Sequence, residues 1–286
     1  MSRFRVFKRR TAQRNAKRAR FSFDGLSDFH VAQIEERRSS ALLHVQATPE
    51  MSERIVTAPF GYVVAHNGVD IARHMGLLTP LPQVGEVRVV VTPGRGPSEW
   101  HLDIASRDRR GLLAAFTGVL SRRHLDVVQA VIATWQDGAA LEAFVIRSAT
   151  VPEPAAIAAA LEASLSEPID SSPMFAARVS FDHDASPLYS RCDVRAPDRV
   201  GLLHSIAVAF AAAGVDVHAA SVSTTDGQAL DRFDLSMPNG AKLTPAVQAL
   251  IEGYVRNGVD HFDGASAPKR GVRRGRAVPQ FEAAMR

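Results

Sequence analysis

The sequence of 286 residues is poor in cysteine and in aromatic residues: it has one cysteine, Cys192, and 7% aromatics. One cysteine excludes an intrachain disulfide and a cysteine-rich zinc site, and it is typical of a reducing compartment. The longest apolar run, residues 201–215, is shorter than the roughly 20 residues that span a bilayer, so we interpret it as a core helix. The basic N-terminus is not followed by a signal-peptide-like apolar stretch. We therefore expect a cytoplasmic protein with no membrane segment.

Acidic residues are scarce at both ends of the chain. Residues 1–20 hold nine Lys or Arg and no acid, and residues 268–286 hold six basic residues against Glu282. Because the whole chain has a net charge of +4, the remaining body carries −10. Tails of like charge are commonly disordered, and their phosphate contacts are sensitive to salt and blind to sequence. We predict disordered basic segments at 1–22 and 264–286, and we do not expect specific nucleic-acid binding.

An internal repeat is the most informative feature, because self-similarity identifies tandem structural units. Residues 106–113 recur as residues 196–203, an offset of 90, with Asp, Arg, Gly, Leu and Leu in register. The agreement continues through the segments that begin at Asp126 and Asp216. It then passes through an Asp-Gly turn in each copy, with one residue deleted. The chain therefore contains two copies of one unit.

Both copies have the same predicted order of elements. An alternating strand is followed by a helix with one apolar face, and the Asp137-Gly138 and Asp226-Gly227 turns each indicate a hairpin. A second helix follows each hairpin. The copies are expected to close with strands near residues 177–181 and 259–262. The order β-α-β-β-α-β is that of the ferredoxin-like split unit.

These residues resemble the ACT domain family, and more narrowly the tandem ACT pair that ends bacterial PII-protein uridylyltransferase/uridylyl-removing enzymes. The loop signature of the family is Asp-Arg-Pro-Gly-Leu-Leu, and both copies keep it except for the proline, which is Arg110 in one and Val200 in the other. The resemblance covers about residues 58–262. It implies an α+β fold of two tandem ferredoxin-like βαββαβ (ACT) domains with a partly helical N-terminal extension.

The resemblance also suggests domain boundaries. We place the extension at 23–85, with a helix over 29–43, ACT domain 1 at 86–184 and ACT domain 2 at 185–263.

The catalytic motifs of the resembled enzymes are not found in this sequence. Nucleotide transfer needs a Gly-Ser loop and paired Mg²⁺-binding aspartates, and no Gly-Ser precedes Asp182 and Asp184. The His183-Asp184 dipeptide falls in a predicted strand or linker, whereas a metal-dependent phosphohydrolase site draws its ligands from several helices. We therefore predict a protein that is not an enzyme, with no cofactor and no metal.

The loop between the first strand and the first helix of each copy is the predicted ligand site. The helix opens at a glycine, and its first-turn N–H groups, which lack intrahelical partners, attract a carboxylate. By resemblance to ACT domains that bind amino acids, Asp108 with Asp126, and Asp198 with Asp216, would face the ligand's ammonium. The predicted ligand-binding residues are Asp108, Arg110, Gly111, Leu112, Asp126, Asp198, Val200, Gly201, Leu202 and Asp216.

A structural explanation of the same residues is equally available. Asp108 and Asp198 stand where they would cap their helices, and Gly111 and Gly201 would then serve only helix–sheet packing.

Three functions remain open at this point. The first is a regulatory sensor of a small amino acid, with glutamine as the leading candidate because the resembled enzymes sense nitrogen status. The second is a regulatory part or remnant of such an enzyme, acting beside a catalytic partner. The third is a protein-interaction module without a ligand, since the prolines that would pre-set the loops are missing. A homodimer through a sheet edge, or a regulatory protein partner, is compatible with each.

Overall fold

The structure is a computed structural model that describes residues 28–45, 48–167, 173–174 and 176–259. The predicted basic segments at 1–22 and 264–286 lie outside these residues. Within them, no helix is both long enough and apolar enough to cross a membrane.

Within the described residues, four helices precede the repeat: α1 (Asp28–His44), α2 (Pro49–Thr57), α3 (Phe60–Ala65) and α4 (Gly68–Leu78). The first unit contains β1 (Arg88–Pro93), β2 (Glu99–Arg107), α5 (Leu112–Arg122), β3 (Asp126–Thr134), β4 (Ala139–Arg147) and α6 (Pro154–Ser164). The second contains β5 (Arg178–Asp182), β6 (Ser190–Pro197), α7 (Leu202–Ala213), β7 (Asp216–Thr225), β8 (Gln228–Ser236) and α8 (Pro245–Asn257). The predicted helix at 29–43 is confirmed by α1.

The strands form one eight-stranded antiparallel sheet in the order β1-β2-β4-β3-β7-β8-β6-β5. Both predicted hairpins are present, and β3 and β7 carry a bulge at equivalent positions, after Val127 and after Val217. The two units meet where β3 pairs with β7. Ala130 lies opposite Ala220 there, so equivalent residues of the two copies face each other across a pseudo-two-fold axis. The predicted α+β class with tandem ferredoxin-like units is confirmed.

The edge strands differ from the predicted order. The strand expected at 177–181 is present as β5, but it pairs with β6 of the second unit and does not close the first. The edge beside β2 is already occupied by β1, an unpredicted strand that precedes it. Each unit is therefore built as β-β-α-β-β-α, with its edge strand first. The predicted last strand at 259–262 falls almost entirely outside the described residues, and Val259 is not in a strand.

This pairing bears on the domain boundary. Because β5 belongs to the half-sheet of the second unit, we propose a boundary between α6 and β5 in place of one after residue 184.

The two faces of the sheet are covered differently. Helices α5 to α8 pack on one face along its whole length and form a continuous core with it. The other face of the first unit is apolar and lies beneath α1 to α4, where Val131, Trp135 and Leu141 are buried. The same face of the second unit carries cross-strand ion pairs, Arg191 with Asp234 and Arg232 with Asp193. Such a face is typical of an antiparallel sheet that is solvated on one side.

A buried polar cluster attaches the helical extension to the sheet. Asp103 of β2 is 3% exposed and accepts hydrogen bonds from both Nε and Nη2 of Arg73 on α4, at 3.1 and 2.8 Å. Nε2 of His74 lies 3.2 Å from the same carboxylate, and its Nδ1 is 2.9 Å from the Tyr62 hydroxyl. Burial acts to raise the pKa of Asp103, but hydrogen bonds and charge from His74 and Arg73 outweigh it and lower the pKa.

We expect Asp103→Asn to destabilise the protein by about 3 kcal/mol, because a partly buried guanidinium loses its charged partner. Asp70→Asn is the matched control: Asp70 pairs with the same Arg73 at 2.8 Å but is more exposed, so its loss should cost about 1 kcal/mol or less. Chemical denaturation followed by tryptophan fluorescence measures both. Equal effects would show that burial of the Asp103 pair is not what attaches α4.

Candidate functional site

The loop that leads into the first helix has the same geometry in both units. The main-chain N–H of Asp108 donates to Gly138 O at 2.9 Å, and that of Asp198 donates to Gly227 O at 2.9 Å. Gly111 and Gly201 are the N-cap residues of α5 and α7, with φ of 80° and 79°. A positive φ favours glycine because it has no Cβ.

Helix capping by the two loop aspartates is therefore wrong. The N-cap positions are occupied by glycine, and neither helix has a side-chain cap. The carboxyl groups of Asp108 and Asp198 do not cap their helices, so capping does not explain their presence.

The seam places the loop of one unit beside the strand of the other. Helices α5 and α7 pack side by side on one face of the sheet, and His204 Nδ1 lies 2.8 Å from Ala114 O of the counterpart helix. Across this pseudo-two-fold arrangement the 108–111 loop lies at the end of α7 and the start of β7. A cavity of about 1080 Å³ opens there.

The cavity collects residues that are far apart in sequence. Its lining includes the 108–114 loop and helix start, residues 215–218 of the second unit, and Thr57, Pro59 and Phe60 of the extension. Five of the predicted binding residues line it: Asp108, Arg110, Gly111, Leu112 and Asp216. The other five do not: Asp126, Asp198, Val200, Gly201 and Leu202.

The two aspartates that line the cavity, Asp108 and Asp216, come from different units. Asp108 and Asp216 line the same cavity, and the pKa of Asp216 is raised first by burial and then by the negative charge of Asp108. Asp126, which was expected to pair with Asp108, does not line this cavity, because β3 and β7 run antiparallel at the seam and the start of β7 lies at the Asp108 end. Partial burial also raises the pKa of Asp108, against a hydrogen bond from the Arg109 main chain.

The two loop arginines hold helix ends. Arg109 Nη1 donates to Leu165 O at the C-terminus of α6. Arg110 Nε donates to Ala211 O at 2.8 Å, and its Nη2 donates to Ala212 O at 3.1 Å, at the C-terminus of α7. A cation is favourable at this end of a helix dipole. Arg110 was predicted to bind ligand, and in this structure its guanidinium joins the two units.

Sequence reasoning missed an acidic residue in the cavity wall. Glu142 of β4 is 2% exposed, and its Oε2 has no hydrogen-bond partner among the described residues. Burial, and then the charge of Asp108, raise the pKa of Glu142 to about 8. The signal was available: Glu142 stands at an inward position between Ala140 and Phe144. Asp231, its equivalent in β8, is likewise fully buried.

An aromatic group forms another part of the wall. His218 follows the bulge of β7, stacks on Tyr189 with ring centroids 4.2 Å apart, and lies 2.8 Å from Ser236 Oγ through Nε2. Burial lowers the pKa of His218 to about 4, so the ring is neutral at pH 7. Among the described residues no group of three or more His, Cys, Asp or Glu is placed to hold a metal ion.

Comparison with known proteins gives the class of the repeat. Residues 190–254 match the family model of the ACT domain. The match covers most of the second unit, and the first unit repeats the order of elements of the second.

The chain is also similar to bifunctional uridylyltransferase/uridylyl-removing enzymes, which carry C-terminal ACT domains. It is 29% identical to that of Caulobacter vibrioides over 231 residues, which are 73% of this chain and 24% of the enzyme. With the Burkholderia orbicola enzyme it shares 26% over 221 residues, 70% of this chain and 26% of the enzyme. The match thus spans about a quarter of these relatives. Aspartate kinase from Synechocystis aligns over 55% of this chain and 27% of its own, with 18% identity and a TM-score of 0.34, too low to define the fold.

We expect Arg110→Ala to lower the free energy of unfolding by about 2 kcal/mol, because hydrogen bonds from a charged donor to the end of α7 are lost. Val200→Ala changes the equivalent residue of the other copy, which is 71% exposed, and should have little effect. Urea denaturation of both variants gives the comparison. Similar values for the two would exclude Arg110 as a link between the units.

The buried acid of the wall predicts a pH dependence of stability. Glutamate in an unfolded chain titrates near ~4.3, so above that pH the unfolded state is ionised while folded Glu142 keeps its proton up to about 8. The stability that protonated Glu142 contributes is fully present below its pKa in the unfolded state. This contribution is lost as the pH rises through its pKa in the folded state, by up to about 1.4 kcal/mol per pH unit. The free energy of unfolding of Glu142→Gln, relative to that of the wild type, should therefore increase from pH 5 to pH 8. A difference that stays constant over this range would contradict the assignment.

Proposed function

We propose that this chain is a non-catalytic regulatory sensor that binds a small amino acid in the cavity at the seam of its tandem ACT units. The observation that carries the proposal is the convergence of Asp108, Asp216 and the glycine-opened helix α5 on one cavity. The main-chain N–H groups at the start of α5 would receive the ligand's carboxylate. The aspartates would receive its ammonium.

Polar groups of opposite character in a largely apolar wall are what a specific small-molecule site requires. At about 1080 Å³ the cavity is larger than a free amino acid needs, so such a ligand would occupy the part next to Asp108. Glutamine is our first candidate, because the resemblance to uridylyltransferase/uridylyl-removing enzymes points to nitrogen status. We place the protein in the cytoplasm, in keeping with its free and buried Cys192.

A second function is favoured by the length of the match. Because the chain spans about a quarter of its relatives, it would serve as the regulatory part of such an enzyme beside a catalytic partner. Addition of the chain to a separately produced catalytic region, with and without glutamine, tests this: a glutamine-dependent change in rate supports it, and an unchanged rate opposes it.

A thermal-unfolding screen against the twenty amino acids tests the sensor. A ligand at about 100 times its dissociation constant adds roughly 2.7 kcal/mol to stability, which moves the unfolding midpoint visibly. Asp216→Asn should weaken binding about 10- to 100-fold, as expected for the loss of a charged hydrogen-bond partner. If no amino acid shifts the wild type, the protein is an interaction module and not a sensor.

The remaining predicted residues decide how many sites there are. The repeat relates Asp126, Asp198, Val200, Gly201 and Leu202 to the cavity residues, and a second site there would double the stoichiometry. Asp126→Asn leaves the ligand shift unchanged if the seam cavity binds alone, and it halves the stoichiometry measured by calorimetry if both sites bind.

A further inference from the structure

Glu142 is a buried acid with no role in the fold that the structure reveals. Its side chain is 2% exposed, and Oε2 meets no donor in the described part of the chain. Native proteins rarely leave a buried polar atom without a partner, because the loss of water is then uncompensated. Glu142 also lines the cavity that Asp108 lines.

Among the described residues, Glu142 Oε2 has no cationic partner. On the two neighbouring strands, the residues opposite Glu142 are Ile104 of β2 and Ile132 of β3. The titratable or charged side chains around the cavity are Asp108, Arg109, Arg110, Tyr189, Asp216 and His218. Both arginines donate to main-chain carbonyls at helix ends, His218 is neutral at pH 7, and the effect of Asp108 on Glu142 is repulsive.

We propose that Glu142 joins Asp108 and Asp216 in binding a primary ammonium group of the ligand, and that binding expels the carboxyl proton of Glu142 to solvent. This deepens the proposed function, since it names the group of the amino acid that the inner wall selects. The ammonium keeps its own protons and forms an ion pair with the new carboxylate. An opposite charge at hydrogen-bond distance stabilises the ionised form of a buried acid.

The proton linkage gives the inference its measurable signature. With a free-state pKa of about 8, Glu142 is ionised in only a small fraction of molecules at pH 6 and in half of them at pH 8. The apparent dissociation constant scales inversely with that fraction, so affinity should rise about 50-fold between these pH values. Binding at pH 7 should release about 0.9 proton per ligand.

The experiment is calorimetry at pH 7 in PIPES and in imidazole, two buffers of different ionisation enthalpy that contain no primary amine, together with the pH series. The first probe is the amino acid that stabilises the wild type in the thermal screen. Ammonium chloride and methylammonium chloride are the second, compared with sodium chloride at equal ionic strength. Glu142→Gln has the shape of the protonated acid and cannot ionise. Asp231→Asn, which removes the equivalent buried acid outside this cavity, is the matched control.

Proton release and pH dependence that disappear in Glu142→Gln and persist in Asp231→Asn are the expected result. If an amino acid binds and Glu142→Gln changes neither quantity, the inference is overturned while the sensor stands. If no amino acid binds but methylammonium stabilises the wild type and not Glu142→Gln, the inference holds and the amino-acid sensor fails. If neither probe binds, both are overturned. Should Glu142→Gln not fold, absence of proton release in the wild type is by itself decisive against the inference.

Discussion

The main-chain pairing of β3 with β7 is the interaction on which the rest of this structure depends. It joins two half-sheets into one and fixes their register with Ala130 opposite Ala220. With this register α5 packs beside α7, and the 108–111 loop lies against the second unit. The cavity is a consequence, because its wall contains parts of both units, including Leu188 and Tyr189 of the connection between β5 and β6. Neither unit alone carries its complete wall.

The extension makes the two halves unequal. Helices α1 to α4 cover an apolar face of the first unit, and their connection at Thr57 to Phe60 reaches the cavity wall. The second unit needs no such cover, because its corresponding face carries charged pairs between β6 and β8. A buried polar network around Asp103 attaches the extension to the sheet. In this network the Asp103 carboxylate is contacted by Arg73 and His74 of the extension. The helical segment is thereby a structural part of the region that carries the cavity, and it contributes residues to the cavity wall.

The sequence allowed prediction of what is local. The repeat, the Asp-Gly hairpins and the glycines that open α5 and α7 depend on short-range chemistry, and the structure confirms them. The partner of β5 was beyond such reasoning, because an edge strand has the same pattern whichever half-sheet it joins. The association of Asp108 with Asp216 also required the seam, which no pattern within one copy encodes. Glu142 was predictable in part: its inward position follows from strand alternation, whereas the absence of a partner depends on the surrounding fold.

Position 110 is an arginine in the first unit, and the equivalent position 200 is a valine in the second. This difference bears on how such a protein can change over generations. In a dimer of identical subunits every substitution appears twice, so a residue that strengthens one side of the axis alters the other side as well. A duplicated unit within one polypeptide is free of that restriction. Here the loop of one unit carries a side chain that donates to the neighbouring helix, while the equivalent valine of the other unit is exposed. Duplication within one chain thus permits equivalent positions of the two halves to differ.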